Sequence, residues 1–153
     1  MNNPPDREVR IVRTFDISVE KAWRAWTDEK IMAKWFGPKD FTTPVCQVDA
    51  HVGGKLYLEM EDSDENRYPM DALFEAVDPP NRLVFTTGAV QNDAGEPELT
   101  TRNTVTLEDV GGKTKTTLHI LVTKADSPEA LQALSGMEMG WSMSFDKFAD
   151  IVK

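Results

Sequence analysis

From Thr42 to Lys124 the chain reads almost wholly as short alternating segments separated by turns, and a single long amphipathic helix, Ser127–Lys153, follows them. A sheet built from that many strands has a large apolar face, and an apolar face must be buried against another layer. Only one helix is long enough to cover it. The imbalance predicts a curved antiparallel sheet with a hollow beneath the closing helix, which is a ligand-holding architecture. It names no ligand and brings no evident catalytic apparatus.

The local patterns give the order of elements. Glu8 to Phe15 alternates, with Val9 and Ile11 on one side and Arg10, Val12 and Thr14 on the other, so it reads as an opening strand. Ser18 is placed to cap a helix, with Glu20 in its first turn. Val19, Ala22, Trp23 and Trp26 recur on one side of that helix. Thr27-Asp28 can cap a second short helix carrying Ile31, Met32 and Trp35, and Gly37-Pro38 ends it. Strands Thr42–His51 and Lys55–Asp62 are expected to meet across Gly53-Gly54 as a two-residue hairpin. Leu56, Leu58 and Met60 then share one face. Further strands are expected at Tyr68–Val77, Arg82–Thr87, Thr101–Glu108 and Lys113–Thr123, with polar loops at Asp62–Asn66 and Gln91–Glu98. In the last strand Thr114, Thr116, Leu118, Ile120 and Val122 face one way.

Pro128 suits the first turn of the closing helix. Its apolar side runs through Leu131, Leu134, Met137 or Glu138, Trp141, Phe145, Phe148 and Val152. Gly136 and Gly140 lie inside it, each costing about 1 kcal/mol relative to Ala in a helix interior. They mark either a break near Gly136 or a place where something comes close to the helix.

At 153 residues the chain is expected to form one domain, 1–153, with residues 1–6 flexible. Its net charge of −9 and scattered lysines and arginines leave no basic stripe, which argues against nucleic acid and against an anionic membrane surface. Cys46 is the only cysteine, so no disulfide framework exists. The start, Met1 to Asp6, has neither the basic residues nor the apolar run of a secretory signal, and no apolar run is long enough to span a bilayer. A soluble, cytoplasmic protein, monomer or homodimer, is the expectation.

The chemistry-bearing candidates are mostly apolar. Trp35, Phe36, Phe41, Met60, Met70, Phe74, Phe85, Leu118, Met137, Trp141 and Phe145 form either a cavity lining or an ordinary core. Cys46, Asp49 and His51 are close in sequence, but on a strand only Asp49 and His51 share a face, too few ligands for zinc. Asp62, Asp64 and Asn66 resemble the start of a calcium loop, yet Arg67 stands where glycine is needed and Leu73 where glutamate is needed. Asp71 and Glu75 share parity within an apolar strand. They could work as an acid/base pair with Tyr57 or Arg102, but they point outward if Met70, Ala72 and Phe74 point inward, and outward is the favoured reading. No nucleophile–histidine arrangement and no phosphate-cradling loop stands out, and no metal or cofactor is expected.

Taken in order, Arg13-Thr14-Phe15, Trp23 with Thr27-Asp28, Trp35-Phe36-Gly37-Pro38, Gly53-Gly54, Asp78-Pro79-Pro80 with Arg82-Leu83-Val84, Gly112-Lys113-Thr114, Gly140-Trp141 and Phe145-Asp146-Lys147-Phe148-Ala149 resemble the activator of heat-shock protein 90 ATPase homologue 1-like family. That resemblance implies an α+β helix-grip fold similar to the START and birch-pollen-allergen domains. There, a curved antiparallel sheet of six to seven strands wraps a long C-terminal helix, and two short helices follow the first strand. It implies a hydrophobic or amphipathic small molecule or lipid as partner. A cyclase/aromatase-like enzyme is the second expectation. A co-chaperone or stress-response role with a chaperone partner ranks third, because the eukaryotic activators carry an additional N-terminal domain not seen in this sequence.

Overall fold

The computed structural model describes residues 8–151 apart from positions 92, 95 and 126, and the side chains of residues 89–91 are also left aside. The expected flexible segment 1–6 and the apolar Val152 therefore lie outside the described residues. The elements follow the chain as β1 (Glu8–Phe15), α1 (Val19–Thr27), α2 (Glu29–Trp35), β2 (Thr42–Val48), β3 (Lys55–Glu61), β4 (Arg67–Asp78), β5 (Arg82–Gln91), β6 (Pro97–Val110), β7 (Lys113–Ala125), α3 (Pro128–Ser135) and α4 (Met137–Ile151). The seven strands make one sheet in the order β1-β7-β6-β5-β4-β3-β2, and every neighbouring pair is antiparallel. This is the curled α+β sheet with a C-terminal helix that the pattern predicts.

Period-two alternation sets which face is buried. On β7 Thr114, Thr116, Leu118, Ile120 and Val122 are all buried. On β4 Ala72 and Phe74 are buried and Met70 half-buried, while Asp71, Leu73 and Glu75 are exposed. The two short helices are joined through one residue. The backbone N–H of Asp28 donates to the Arg24 carbonyl at 2.7 Å and closes α1, and its carboxylate accepts from the N–H groups of Lys30 (2.9 Å) and Ile31 (3.4 Å) and opens α2. Trp35 is then fixed by its indole N–H, which donates to the Ala25 carbonyl at 2.9 Å.

Three expectations need correction. The hairpin across Gly53-Gly54 is wider than two residues, because the chain already turns at Asp49: its N–H donates to the Lys55 carbonyl, and His51 and Gly54 continue the turn. Gly54 is required there, since a Cβ would run into the Asp49 carbonyl oxygen. The polar loop after β5 is shorter than expected, because β5 runs to Gln91 and β6 begins at Pro97. The closing helix is two helices. Gly136 (φ −98°, ψ 1°) ends α3, its N–H donating to the Ala133 carbonyl, and α4 starts at Met137. The break resets the helical phase, so Ala130 and Leu134 face inward and Leu131 is exposed.

Candidate functional site

The C-terminal half of α4 covers its part of the sheet with packed rings. Phe145 and Phe148 are fully buried. Phe145 meets Phe15 edge-on with centroids 5.8 Å apart, and Phe148 meets Trp35 at 5.1 Å. Trp26 and Trp35 pack edge to face at 4.8 Å behind them. Such offset and edge-on pairs add to simple area burial.

The other half of α4 does leave space. Met137, Gly140, Trp141 and Ser144 recur at three- and four-residue spacing and so line one helix face. Across from them stand Met60 of β3, Met70 of β4 and Leu99 of β6. Ala133 and Gly136 of α3 form one wall, and the Phe36-Gly37-Pro38 loop forms the opposite one. Together they enclose a groove of about 230 Å³, open to solvent on one side. The two glycines matter for its shape: Pro38 lies where a Cβ on Gly140 would be 3.7 Å from its ring, and no atom comes within 4 Å of a Cβ placed on Gly136.

The loop wall is fastened to α4. Ser144 Oγ accepts a hydrogen bond from the buried Gly37 N–H at 3.0 Å and donates to the Gly140 carbonyl at 3.1 Å. Lys147 Nζ donates to the Phe41 carbonyl at 2.8 Å, and Thr43 Oγ1 donates to the Phe36 carbonyl at 2.8 Å. Partial burial holds the Lys147 ammonium below its ordinary pKa, with Asp40 opposing that shift. Gly37 itself needs its glycine, because its φ is +106°. Phe36 closes the floor against Trp141, ring centroids 5.2 Å apart and nearly perpendicular.

The groove has no titratable side chain among its described lining residues. Its one hydroxyl, that of Ser144, is already used in both directions, and the only other side-chain polar group in the described lining is the Trp141 indole N–H. The arrangement can hold an apolar body by contact and exclusion of water, and it offers no proton to move.

Of the sequence candidates, Phe36, Met60, Met70, Met137 and Trp141 come together here. Trp35, Phe74, Phe85, Leu118 and Phe145 are instead buried in the core, because facing aromatic rings fill the concave side of the sheet between them. Phe41 is half-buried and packs on Tyr68 at 5.8 Å, outside the groove. Sequence reasoning missed Pro38, Leu99, Ala133 and Ser144. Leu99 had no clear strand context, and Ser144 matters through a loop more than a hundred residues away. Gly140 was legible as a position of close approach, and Pro38 is what approaches.

The remaining candidates fall elsewhere. Asp49 and His51 pair at 2.8 Å on the surface, and no group of His, Cys, Asp and Glu suited to a metal occurs among the described residues. Burial, and then the Glu29 charge, push the Cys46 thiol up to about 12, so it is an inert packing residue. The Asp62 carboxylate accepts from the N–H groups of Asn66 and Asp64 and from the Tyr68 hydroxyl. These bonds, the Asn66 N–H first, hold its carboxyl below the usual range, and the loop satisfies itself. Glu75 faces Arg102 at 3.4 Å on the outer surface. Tyr57 donates to Glu59 at 2.6 Å, also away from the groove, which raises the phenol and lowers the carboxyl.

Residues 16–153 match the family model described as activator of Hsp90 ATPase homolog 1-like protein, and the chain belongs to that family. The fold is shared with solved structures of low sequence identity. A protein from Chromobacterium violaceum is 23% identical, with a TM-score of 0.81 over 96% of this chain and 97% of its own. One from Arthrobacter aurescens is 25% identical, with a TM-score of 0.80 over 99% and 89%. The AHSA1 protein of Silicibacter pomeroyi is 21% identical, with a TM-score of 0.77 over 94% and 96%. No curated protein matches the chain in sequence. No helix among the described residues is long and apolar enough to cross a membrane. Membership points to a ligand-holding fold and names no ligand.

Proposed function

We propose that the groove beside Trp141 binds a small, uncharged, largely apolar molecule, or the end of an acyl chain, and that binding rather than catalysis is its role. The observation that carries this reading is the lining: thioethers, rings and aliphatic groups around an open space, with the single hydroxyl already satisfied. Ligand pockets are mostly apolar, and methionines adapt to guests of different shape. The volume sets the size class, because about 230 Å³ is below the roughly 300–1,000 Å³ typical of drug-sized ligands. A whole lipid does not fit; a compact aromatic molecule of two or three rings or a short chain does. Acid/base chemistry of the cyclase kind needs an ionisable group at the reacting centre, and no such group stands in the described lining.

Titration with the neutral fluorophore N-phenyl-1-naphthylamine, followed by its own emission and by tryptophan emission, tests the proposal. A saturable signal is expected, and Ala133→Phe should abolish it by filling the groove from the exposed face of α3. Saturable binding that Ala133→Phe leaves unchanged would place the ligand elsewhere and reject the reading.

A further inference from the structure

At the other end of α4 lies a larger cleft, about 630 Å³, bounded by the β1–α1 connection, the outer sides of α1 and α2, the Gly112 turn and Ile151. Along α4 it stands roughly 21 Å from Met137, taking 1.5 Å per residue. Its character is opposite to that of the apolar groove. Lys21 and Arg24 of α1 and Lys34 of α2 line it, against one carboxylate, Asp16. Lys21 and Arg24 are three residues apart and so neighbours on one helix face.

Net charge is −9, with 26 acidic residues. Arg13, Arg67, Arg82 and Arg102 each pair with a carboxylate. Among the described residues, the side chains of Lys21, Arg24 and Lys34 make no ion pair or hydrogen bond. Among the described residues Lys30, Lys39, Lys55, Lys113 and Lys115 also lack an ion pair, so what sets Lys21, Arg24 and Lys34 apart is that they border one cleft. Three left open around one concavity raise its local potential and draw anions to it. Between the charges the walls are apolar, from Ile17, Ala25 and Ile31.

We propose that this cleft is a second binding site, for a small organic anion: a phosphate or carboxylate group held by Lys21, Arg24 and Lys34, with a compact apolar part resting on Ile17 and Ile31. Arg24 supplies the planar fork suited to bidentate contact with such a group, and the two lysines supply point charges. Asp16 opposes a multiply charged ligand and sets an upper limit on its negative charge.

Amide and side-chain NMR titration of the full chain with phenyl phosphate, inorganic phosphate and benzyl alcohol separates the two halves of the ligand. Phenyl phosphate should bind with a Kd of about 1 mM or tighter, shifting Ile17, Ser18, Lys21 and Gly112. Inorganic phosphate should bind about tenfold more weakly, and benzyl alcohol should leave these residues still. Arg24→Glu and Lys34→Glu, both at exposed positions, should each weaken phenyl phosphate by about tenfold or more, Asp16→Asn should tighten it, and salt should weaken it. Unchanged far-UV circular dichroism and unchanged N-phenyl-1-naphthylamine binding would show that these variants are folded and that the apolar groove is untouched. Failure to saturate, indifference to Arg24→Glu, or equal response to benzyl alcohol would overturn the site. Equal affinity for inorganic phosphate would overturn its organic part.

Discussion

The two halves of α4 lie over the same sheet and finish differently. Toward its C-terminus Phe145 and Phe148 find Phe15, Trp26 and Trp35 and lock ring against ring. Toward its N-terminus Met137, Gly140 and Trp141 face Met60 and Met70 and leave a groove. Apolarity is common to both halves, so it does not decide between core and cavity. The difference lies in bulk and in what supports the far wall. Rings from four elements, β1, α1, α2 and α4, converge at the packed end. At the open end two glycines remove bulk from the helices, and the opposite wall is a loop fastened by hydrogen bonds.

The largest effect should come from breaking the packed end. Phe145→Ala removes a fully buried ring with neighbours on four sides, and such truncations cost about 3–5 kcal/mol. Met70→Ala, at the half-buried lining, should cost clearly less, under about 2 kcal/mol, because open space already adjoins it. Urea unfolding of both measures the contrast. Equal losses would mean that the groove is as tightly packed as the core and that the two halves are not different in kind.

Ser144→Ala sharpens the comparison at the loop wall. It strips the buried Gly37 N–H of its acceptor, and an orphaned buried donor costs about 1–3 kcal/mol. Because the loss falls on the wall of the groove, N-phenyl-1-naphthylamine affinity should fall in the same variant. Ser144→Thr, which restores a hydroxyl, should recover most of the stability. A variant that is destabilised but binds the probe normally would detach the loop from the site.

How far the sequence carried the reading follows from the same contrast. The inward set Thr114, Thr116, Leu118, Ile120, Val122 and the outward turn of Asp71 and Glu75 were legible, because a strand has a period of two and a buried face selects one parity. The break at Gly136 was legible only as an alternative, and with it went the phase of α3, which is why Leu131 was assigned inward and Ala130 was not. The site was half legible. Hydrophobicity marks Phe36, Met60, Met70, Met137 and Trp141 and the core residues Trp35, Phe74, Phe85, Leu118 and Phe145 alike. Which of them fill space and which border it depends on rings meeting across distant elements, and no local pattern encodes that. Ser144 and Lys147 hold the loop through contacts 107 and 106 residues distant in sequence, beyond any motif.

A smaller gain should come from Thr116 on the covered face of the sheet. It is fully buried on β7, and its hydroxyl has no hydrogen-bond partner among the described residues. Valine keeps the shape and removes the polar group, so Thr116→Val should stabilise the protein by about 1 kcal/mol. Thermal unfolding reads the shift directly. A loss instead of a gain would mean that this hydroxyl is satisfied by a water within the core, and that the interior is less dry than the ring packing implies.

The smallest effect should come from the break between the helices, where one glycine serves the open half alone. Gly136 sits at φ −98° and ψ 1°, a conformation open to any L-residue, and no atom lies within 4 Å of where a Cβ would stand. Nothing in the folded state therefore demands glycine for backbone reasons. Gly136→Ala should stabilise by about 0.4–1 kcal/mol, chiefly by restricting the unfolded chain. The methyl group would, however, enter the space bordered by Met137 and Ala133. The variant should therefore gain a few degrees in Tm while losing affinity for N-phenyl-1-naphthylamine. Stability and binding moving in opposite directions at one atom would show that the glycine is kept for the hollow and not for the helix; affinity unchanged by the methyl would move the bound molecule away from α3 and toward Met60 and Met70.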